Sequence, residues 1–159
     1  MTGSATASVT LPADDQIMIV REFDAPRELV FRAWTEPDLV RQWWHAGRGE
    51  MTVCEIDLRP GGSWRYVMVT PDGTEVGFHG EYREVVPGER IVQTEIYDPF
   101  PGAAAVDTLA FEDLHGRTRV TMLVQHSRKE HRDAHVESGM EEGLQDALDL
   151  LEGVAQSLA

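Results

Sequence analysis

Residues 63–97 read SWRYVMVTPDGTEVGFHGEYREVVPGERIVQTEIY, and the architecture follows from how this stretch is punctuated. Trp64, Tyr66 and Met68 alternate with polar or smaller neighbours, and so do Val76, Phe78, Gly80 and Tyr82. A period of two sends successive side chains to opposite faces and marks strands. Between the runs stand PDG at 71–73 and PGE at 87–89, whose proline, aspartate and glycine set up tight reversals. Three strands joined by short turns are necessarily antiparallel neighbours. The pattern extends outward on both sides. Upstream, MTVCEIDL (51–58) sets Val53, Glu55 and Asp57 against Cys54, Ile56 and Leu58, then turns at RPGG. Downstream, VDTLAFEDL (106–114), the HG turn at 115–116 and TRVTMLVQH (118–126) repeat the scheme. With QIMIVREF (16–23), where Ile17, Ile19, Arg21 and Phe23 share a face, the expectation is seven strands, six of them consecutive.

Two segments keep a helical period instead. DAPRELVFRAW (24–34) places Pro26 where a first helical turn tolerates it and spaces Leu29, Val30, Ala33 and Trp34 on one side. TEPDLVRQWW (35–44) restarts a helix with Thr35 as expected N-cap. After the last strand, SRKE (127–130) has the form of a capping box. Beyond a break at Gly139, Met140, Leu144, Ala147, Leu148, Leu151, Val154 and Leu158 form one apolar stripe, with Gln145 on the opposite side. Burying a one-sided sheet and a one-sided helix together requires the sheet to curve around the helix. The fold class is therefore α+β, with one domain over 16–159 and a flexible tail over 1–15.

Composition narrows the function classes. At 159 residues, 42% hydrophobic and 26% charged, the chain suits one globular domain. Its 14 basic and 28 acidic residues give 14 − 28 = −14, the wrong sign for a nucleic acid or an anionic membrane surface. Neither is expected as a partner. No apolar run approaches the ~20 residues of a membrane span, and the opening MTGSATASVTLPADD lacks a basic start and an apolar block. The lone Cys54 excludes an intramolecular disulfide. A cytoplasmic protein is the expectation.

The blocks FDAPRELVFRAWTEPDLVRQWW, CEIDLRPGGSWRYVM, PDGTEVGFHGEYREVVPGERIVQTE and ESGMEEG, in this order, resemble the START-like SRPBCC superfamily, in particular the branch of activator of heat shock protein ATPase homologue (AHSA-like) domains. The resemblance runs from Ile17 to Leu158. It implies a helix-grip fold: a curved antiparallel sheet of six or seven strands around a long C-terminal helix, two short helices after the first strand, and often an apolar cavity in between. The superfamily spans lipid and hormone binders, polyketide aromatases and cyclases, and co-chaperones, so fold alone does not fix function. WWHAGRGEM departs from the branch, in which Gly-Pro follows the two tryptophans; this leaves the conformation of residues 45–50 open.

Within that fold Trp43 and Trp44 point about 100° apart on a helix and cannot share one core. Trp43 is expected beneath the sheet with Leu39 and Val40, and Trp44 at the cavity rim. Strand parity and the helical stripe give the expected ligand-binding set: Trp44, Trp64, Tyr66, Met68, Phe78, Tyr82, Met140 and Leu144. The expected function is noncovalent binding of a small hydrophobic or aromatic molecule, with no cofactor. Two alternatives stay open: an aromatase-, cyclase- or hydrolase-type enzyme, requiring His79, Glu95 or Tyr97 to point inward, and a co-chaperone-like interaction module. A homodimer is compatible with all three.

No catalytic residue is assigned. Cys54 reads as a buried small hydrophobe, His79 as a sheet-surface histidine with Glu81 or Glu95 as candidate neighbours, and Glu55 and Asp57 as a solvated strand face. His131 and His135 share a helical face, with His126 and Asp133 as further candidates, yet zinc wants three or four ligands and no metal site is expected.

Overall fold

The computed structural model describes residues 6–159. Its strands are β1 (Ser8–Thr10), β2 (Gln16–Phe23), β3 (Glu50–Ile56), β4 (Ser63–Val69), β5 (Glu75–Val86), β6 (Arg90–Tyr97), β7 (Ala105–Asp113) and β8 (Thr118–His126). Its helices are α1 (Arg27–Thr35), α2 (Pro37–Val40), α3 (Lys129–Glu137) and α4 (Met140–Ser157). All eight strands form one antiparallel sheet in the order β1-β2-β8-β7-β6-β5-β4-β3. The meander from β3 to β8 is the chain-order run of the sequence pattern. The extra strand, β1, lies in the stretch expected to be a loose tail: Val9 pairs with Ile19 and Thr10 with Met18. Residues 1–5 of that tail lie outside the described residues.

Alternate residues of the central strands turn one face inward, and α4 covers it. Ile17 and Ile19 on β2, Leu109 and Phe111 on β7, and Val120 and Val124 on β8 are buried with Leu148, Leu151 and Ala155 of α4 in one core. Arg21 holds the inward register on β2 as well and is fully buried. Its guanidinium lies 5.0 Å from the Phe23 ring centre and donates to Asp149 at 2.8 Å and Glu152 at 3.3 Å, fastening the outer side of α4 to the sheet. Gln145, expected on a free side of α4, exchanges two hydrogen bonds with the backbone of Ala7, at 3.0 and 2.8 Å. It moors the segment leading into β1.

The short helices close one end of the core. Pro26 is the N-cap of α1, and Phe31 meets Phe111 edge-on at 5.2 Å. Trp34 bridges Phe111 and Trp43 at 5.7 and 5.5 Å. Trp43 is buried and donates its indole N–H to the Ala33 carbonyl at 2.8 Å, beneath the neighbouring helix. Two caps differ from expectation. Thr35 ends α1, buried, with its hydroxyl donating to the Phe31 carbonyl at 2.7 Å, so Glu36 takes the N-cap position of α2. Ser127 makes no capping box either; its hydroxyl pairs with His131 at 3.3 Å, and α3 starts from Arg128. In both cases a nearer partner claims the hydroxyl. The break at Gly139 forms as the sequence indicates, with φ at +81°, a left-handed conformation that glycine adopts without strain.

Candidate functional site

Burial along α4 is uneven, and this locates the site. Leu148 and Leu151 are 1% and 0% exposed, whereas Met140 and Leu144, on the same stripe two turns earlier, are only half-buried. The stripe is thus fully covered at the C-terminal half of α4 and only partly covered at its N-terminal half.

Strands β4, β5 and β6, with Trp44 and Phe100 from adjoining segments, present a continuous wall of aromatic rings. Trp64 packs on Tyr66 at 4.8 Å, Tyr66 on Trp44 at 5.3 Å, Trp44 on Phe78 at 5.7 Å, Phe78 on Tyr97 at 5.0 Å and Tyr97 on Phe100 at 5.8 Å. Tyr66 is opposite Phe78 in the ladder, and Phe78 opposite Tyr97, so the three rings stand in one row. Trp64 and Tyr66 are buried, Trp44, Phe78 and Tyr97 half-buried, and Phe100 is 64% exposed. The wall thus runs from core to surface. Gly80 makes its deep end possible: a Cβ there would stand 1.9 Å from the Thr94 carbonyl oxygen and 2.7 Å from the Trp64 indole nitrogen. With glycine in place, that indole donates to the same carbonyl at 3.1 Å. At the exposed end a surface depression of about 620 Å³ is lined by Phe100, Gly102, Ser127, Arg128 and His131, among others.

Beside the wall lies a polar patch on the same face. Register places Glu95 opposite Ala105, Ala105 opposite His126, and Gln93 opposite Asp107. Asp107 is 3% and His126 8% exposed. Burial, reinforced by the charge of Glu95 and its hydrogen bond and opposed by Gln93, lifts the Asp107 carboxyl well above the usual carboxylate range. Burial first, and the neighbouring His135 next, push His126 down to about 4, so its ring is neutral. His126 Nε2 lies 3.0 Å from His135 Nδ1. The remaining atoms, Asp107 Oδ1 and His126 Nδ1, are buried without a hydrogen-bond partner.

The expected ligand set is only partly brought together. Trp44, Trp64, Tyr66 and Phe78 form the wall; Tyr82 is buried beside them, and burial raises both phenols, Tyr66 and Tyr82. Met140 and Leu144 pack against the core from α4. Met68 is separate: it is buried at the far end of β4 against Gly49 and stands outside the contiguous core. Tyr97 and Phe100 complete the wall, and Asp107 was not singled out from the sequence. Its signal was present, an acid in the apolar register Ala105, Asp107, Leu109, Phe111.

The other candidates have structural surroundings. Cys54 is buried, its thiol 3.5 Å from the Pro37 carbonyl and pushed up to about 11, chiefly by burial. Glu55 and Asp57 are exposed. His79 faces away from the wall, with Nδ1 2.6 Å from Asp98, which also accepts from Arg65 at 2.8 Å; neither Glu81 nor Glu95 is its partner. Of the three polar residues an enzyme would need inward, Glu95 and Tyr97 share the inner face. His131 and His135 part company, one to Ser127 and the other to His126. Among the described residues no group of three or more His, Cys, Asp or Glu side chains is placed to hold a metal ion. In the open segment 45–50, Ala46 and Gly47 have φ of +53° and +74°. The Gly47 N–H donates to His45 Nδ1 at 2.9 Å, and Arg48 meets Asp146 of α4 at 3.0 Å.

An antiparallel sheet gripping a C-terminal helix, with two short helices between its second and third strands, defines the helix-grip, START-like class of the SRPBCC superfamily. Residues 24–156 match the model of the family described as activator of Hsp90 ATPase homolog 1-like protein, and the chain belongs to that family. A protein of Rhodobacter sphaeroides of known structure is 27% identical, with 95% of this chain and 99% of that chain covered at a TM-score of 0.88. One from Nitrosomonas europaea is also 27% identical, over 92% and 97% of the two chains, at a TM-score of 0.82. An AHSA1-like protein of Aeromonas hydrophila, at 23% identity, 89% and 93% coverage and a TM-score of 0.67, shares the fold. None of the curated proteins matches the chain. No helix among the described residues is long and apolar enough to cross a membrane.

Proposed function

We propose that this protein binds a small apolar or aromatic molecule, without covalent chemistry, in the groove between the aromatic wall and the N-terminal half of α4. The observation that carries the reading is the unbroken contact of six rings from Trp64 to Phe100, of which Trp44, Phe78 and Tyr97, like Met140 and Leu144 of α4, are only half-buried. Apolar walls with a few placed polar groups are the usual make-up of small-molecule sites. Trp44, Trp64, Tyr66, Phe78, Tyr97, Met140 and Leu144 are the proposed liners, carried by the single domain of residues 16–159 with β1 at its edge, acting in the cytoplasm.

Two tryptophans in the wall supply the assay. Titration with 1-anilinonaphthalene-8-sulfonate or a fatty acid is expected to change tryptophan fluorescence saturably. Met140→Trp, which adds volume on the half-buried face of α4, is expected to weaken that binding at least tenfold while the chain stays folded. Failure of every apolar probe to bind would overturn the reading in favour of a closed, co-chaperone-like module acting through its exterior.

A further inference from the structure

The polar patch at the inner edge of the groove has a chemistry of its own. Glu95 and His126 stand on either side of Ala105, whose methyl is the smallest side chain in that row, and Asp107 is two residues further along β7 on the same face. The floor between the three is low. Every unpartnered atom around it is an acceptor or can become one. Glu95, beside Asp107, favours a proton on that carboxyl, and Asp107 Oδ1 has no hydrogen-bond partner of its own. In the tautomer that donates from Nε2 to His135, His126 keeps a lone pair on Nδ1, an atom also without a partner. Glu95 contributes a half-buried carboxyl. Other charged groups near His126 come from α3: His131 and His135, and Arg132, which is engaged with Asp133 and with the carbonyls of Ala13 and Gln16. Buried polar atoms in native proteins are almost always paired, with protein, ordered water or a bound group, so these two atoms are open to a donor that arrives from outside.

We propose that this patch receives the ammonium group of a primary amine whose apolar or aromatic body lies along the ring wall, an inference that rests on the groove reading above. An ammonium carries three N–H donors and no acceptor, which matches Glu95, Asp107 Oδ1 and His126 Nδ1. Tyr97 follows Glu95 by two residues on the same face of β6, so the amine's body passes directly onto the wall. A neutral alcohol supplies one donor and no charge, and a carboxylate would meet acceptors only.

The test compares three probes with one body: 4-phenylbutylamine, 4-phenylbutan-1-ol and 4-phenylbutyrate, titrated calorimetrically at neutral pH and 0.15 M salt. The amine is expected to bind at least tenfold tighter than the alcohol, and the carboxylate weakest. Glu95→Gln is expected to bring the amine down to the affinity of the alcohol. Asp107→Leu is expected to do the same while raising the melting temperature, because it removes an orphaned buried carboxyl. If the alcohol binds and the amine binds no tighter, the amine assignment is wrong and the groove reading stands. An amine preference that survives both substitutions traces to the overall negative charge and overturns the patch as its source. If none of the three binds, the groove and the patch fall together.

Discussion

Asp107 and His126 are buried with opposite consequences for pH. The unfolded chain protonates His126 near 6.5, whereas the folded chain resists until about 4. Between those values the unfolded state binds the extra proton, so stability falls as pH falls. Asp107 works the other way: its folded carboxyl keeps a proton that the unfolded one releases near 4, so stability falls as pH rises from there. In the parent the two slopes oppose each other between about pH 4 and 6.5. Asp107→Leu is expected to expose the His126 slope, its denaturation midpoint climbing relative to the parent from pH 4 to 6.5, while His126→Leu is expected to give the reverse tilt. Parallel profiles for all three chains would show that neither group holds its charge state against solvent.

Helix α4 is the element on which stability and site meet. Leu148 is fully buried, and Leu148→Ala is expected to cost about 2 to 5 kcal/mol by the cavity it leaves. Gln145→Ala is expected to cost about 1 to 2 kcal/mol, because it removes both bonds to Ala7 rather than touching a free surface. The two losses differ in reach. Leu148→Ala lowers the global unfolding midpoint, whereas Gln145→Ala also speeds amide exchange in Ser8–Thr10 by loosening the approach to β1. Exchange at β1 unchanged in Gln145→Ala would mean that pairing with β2 alone holds that edge.

The whole molecule carries a net charge of −14, and most of its basic side chains already sit in ion pairs, such as Arg32 with Glu36, Arg90 with Glu84 and Arg119 with Glu22 and Glu112. Exposed pairs of this kind contribute about 0 to 1 kcal/mol each. The unpaired carboxylates repel across the surface, and that repulsion is screened over roughly 10 Å at 0.1 M salt. Raising sodium chloride from about 0.02 to 0.3 M is expected to raise the melting temperature by about 2 to 4 °C, the shift that roughly 1 kcal/mol produces in a chain of this size. A fall over the same range would mean that the ion pairs outweigh the repulsion.

The local periods of the chain carried the architecture. Alternation in residues 51–97, the turns at 71–73 and 87–89, and the stripe from Met140 to Val154 each depend on neighbours within a few positions, which is why strands, turns, the helix and its buried face were legible as sequence. The aromatic wall was legible through Trp64, Tyr66 and Phe78 for the same reason. Contacts between distant residues were not. Pairing of β2 with β8, the hold of Arg21 on Asp149 and Glu152, and the meeting of His126 with His135 and of Glu95 with Ala105 join positions that alternation cannot associate. The same limit explains the caps: Thr35 and Ser127 have the right hydroxyl at the right place, yet Phe31 and His131 engage those hydroxyls in the folded chain. Asp107 shows the division most plainly. The sequence put an acid on an apolar face, but only the tertiary structure, by surrounding it with Glu95, Gln93 and the covering core, decided that it would be buried, with its proton affinity raised and one oxygen unpaired, because the desolvation of a charge depends on everything packed around it and not on its neighbours along the chain.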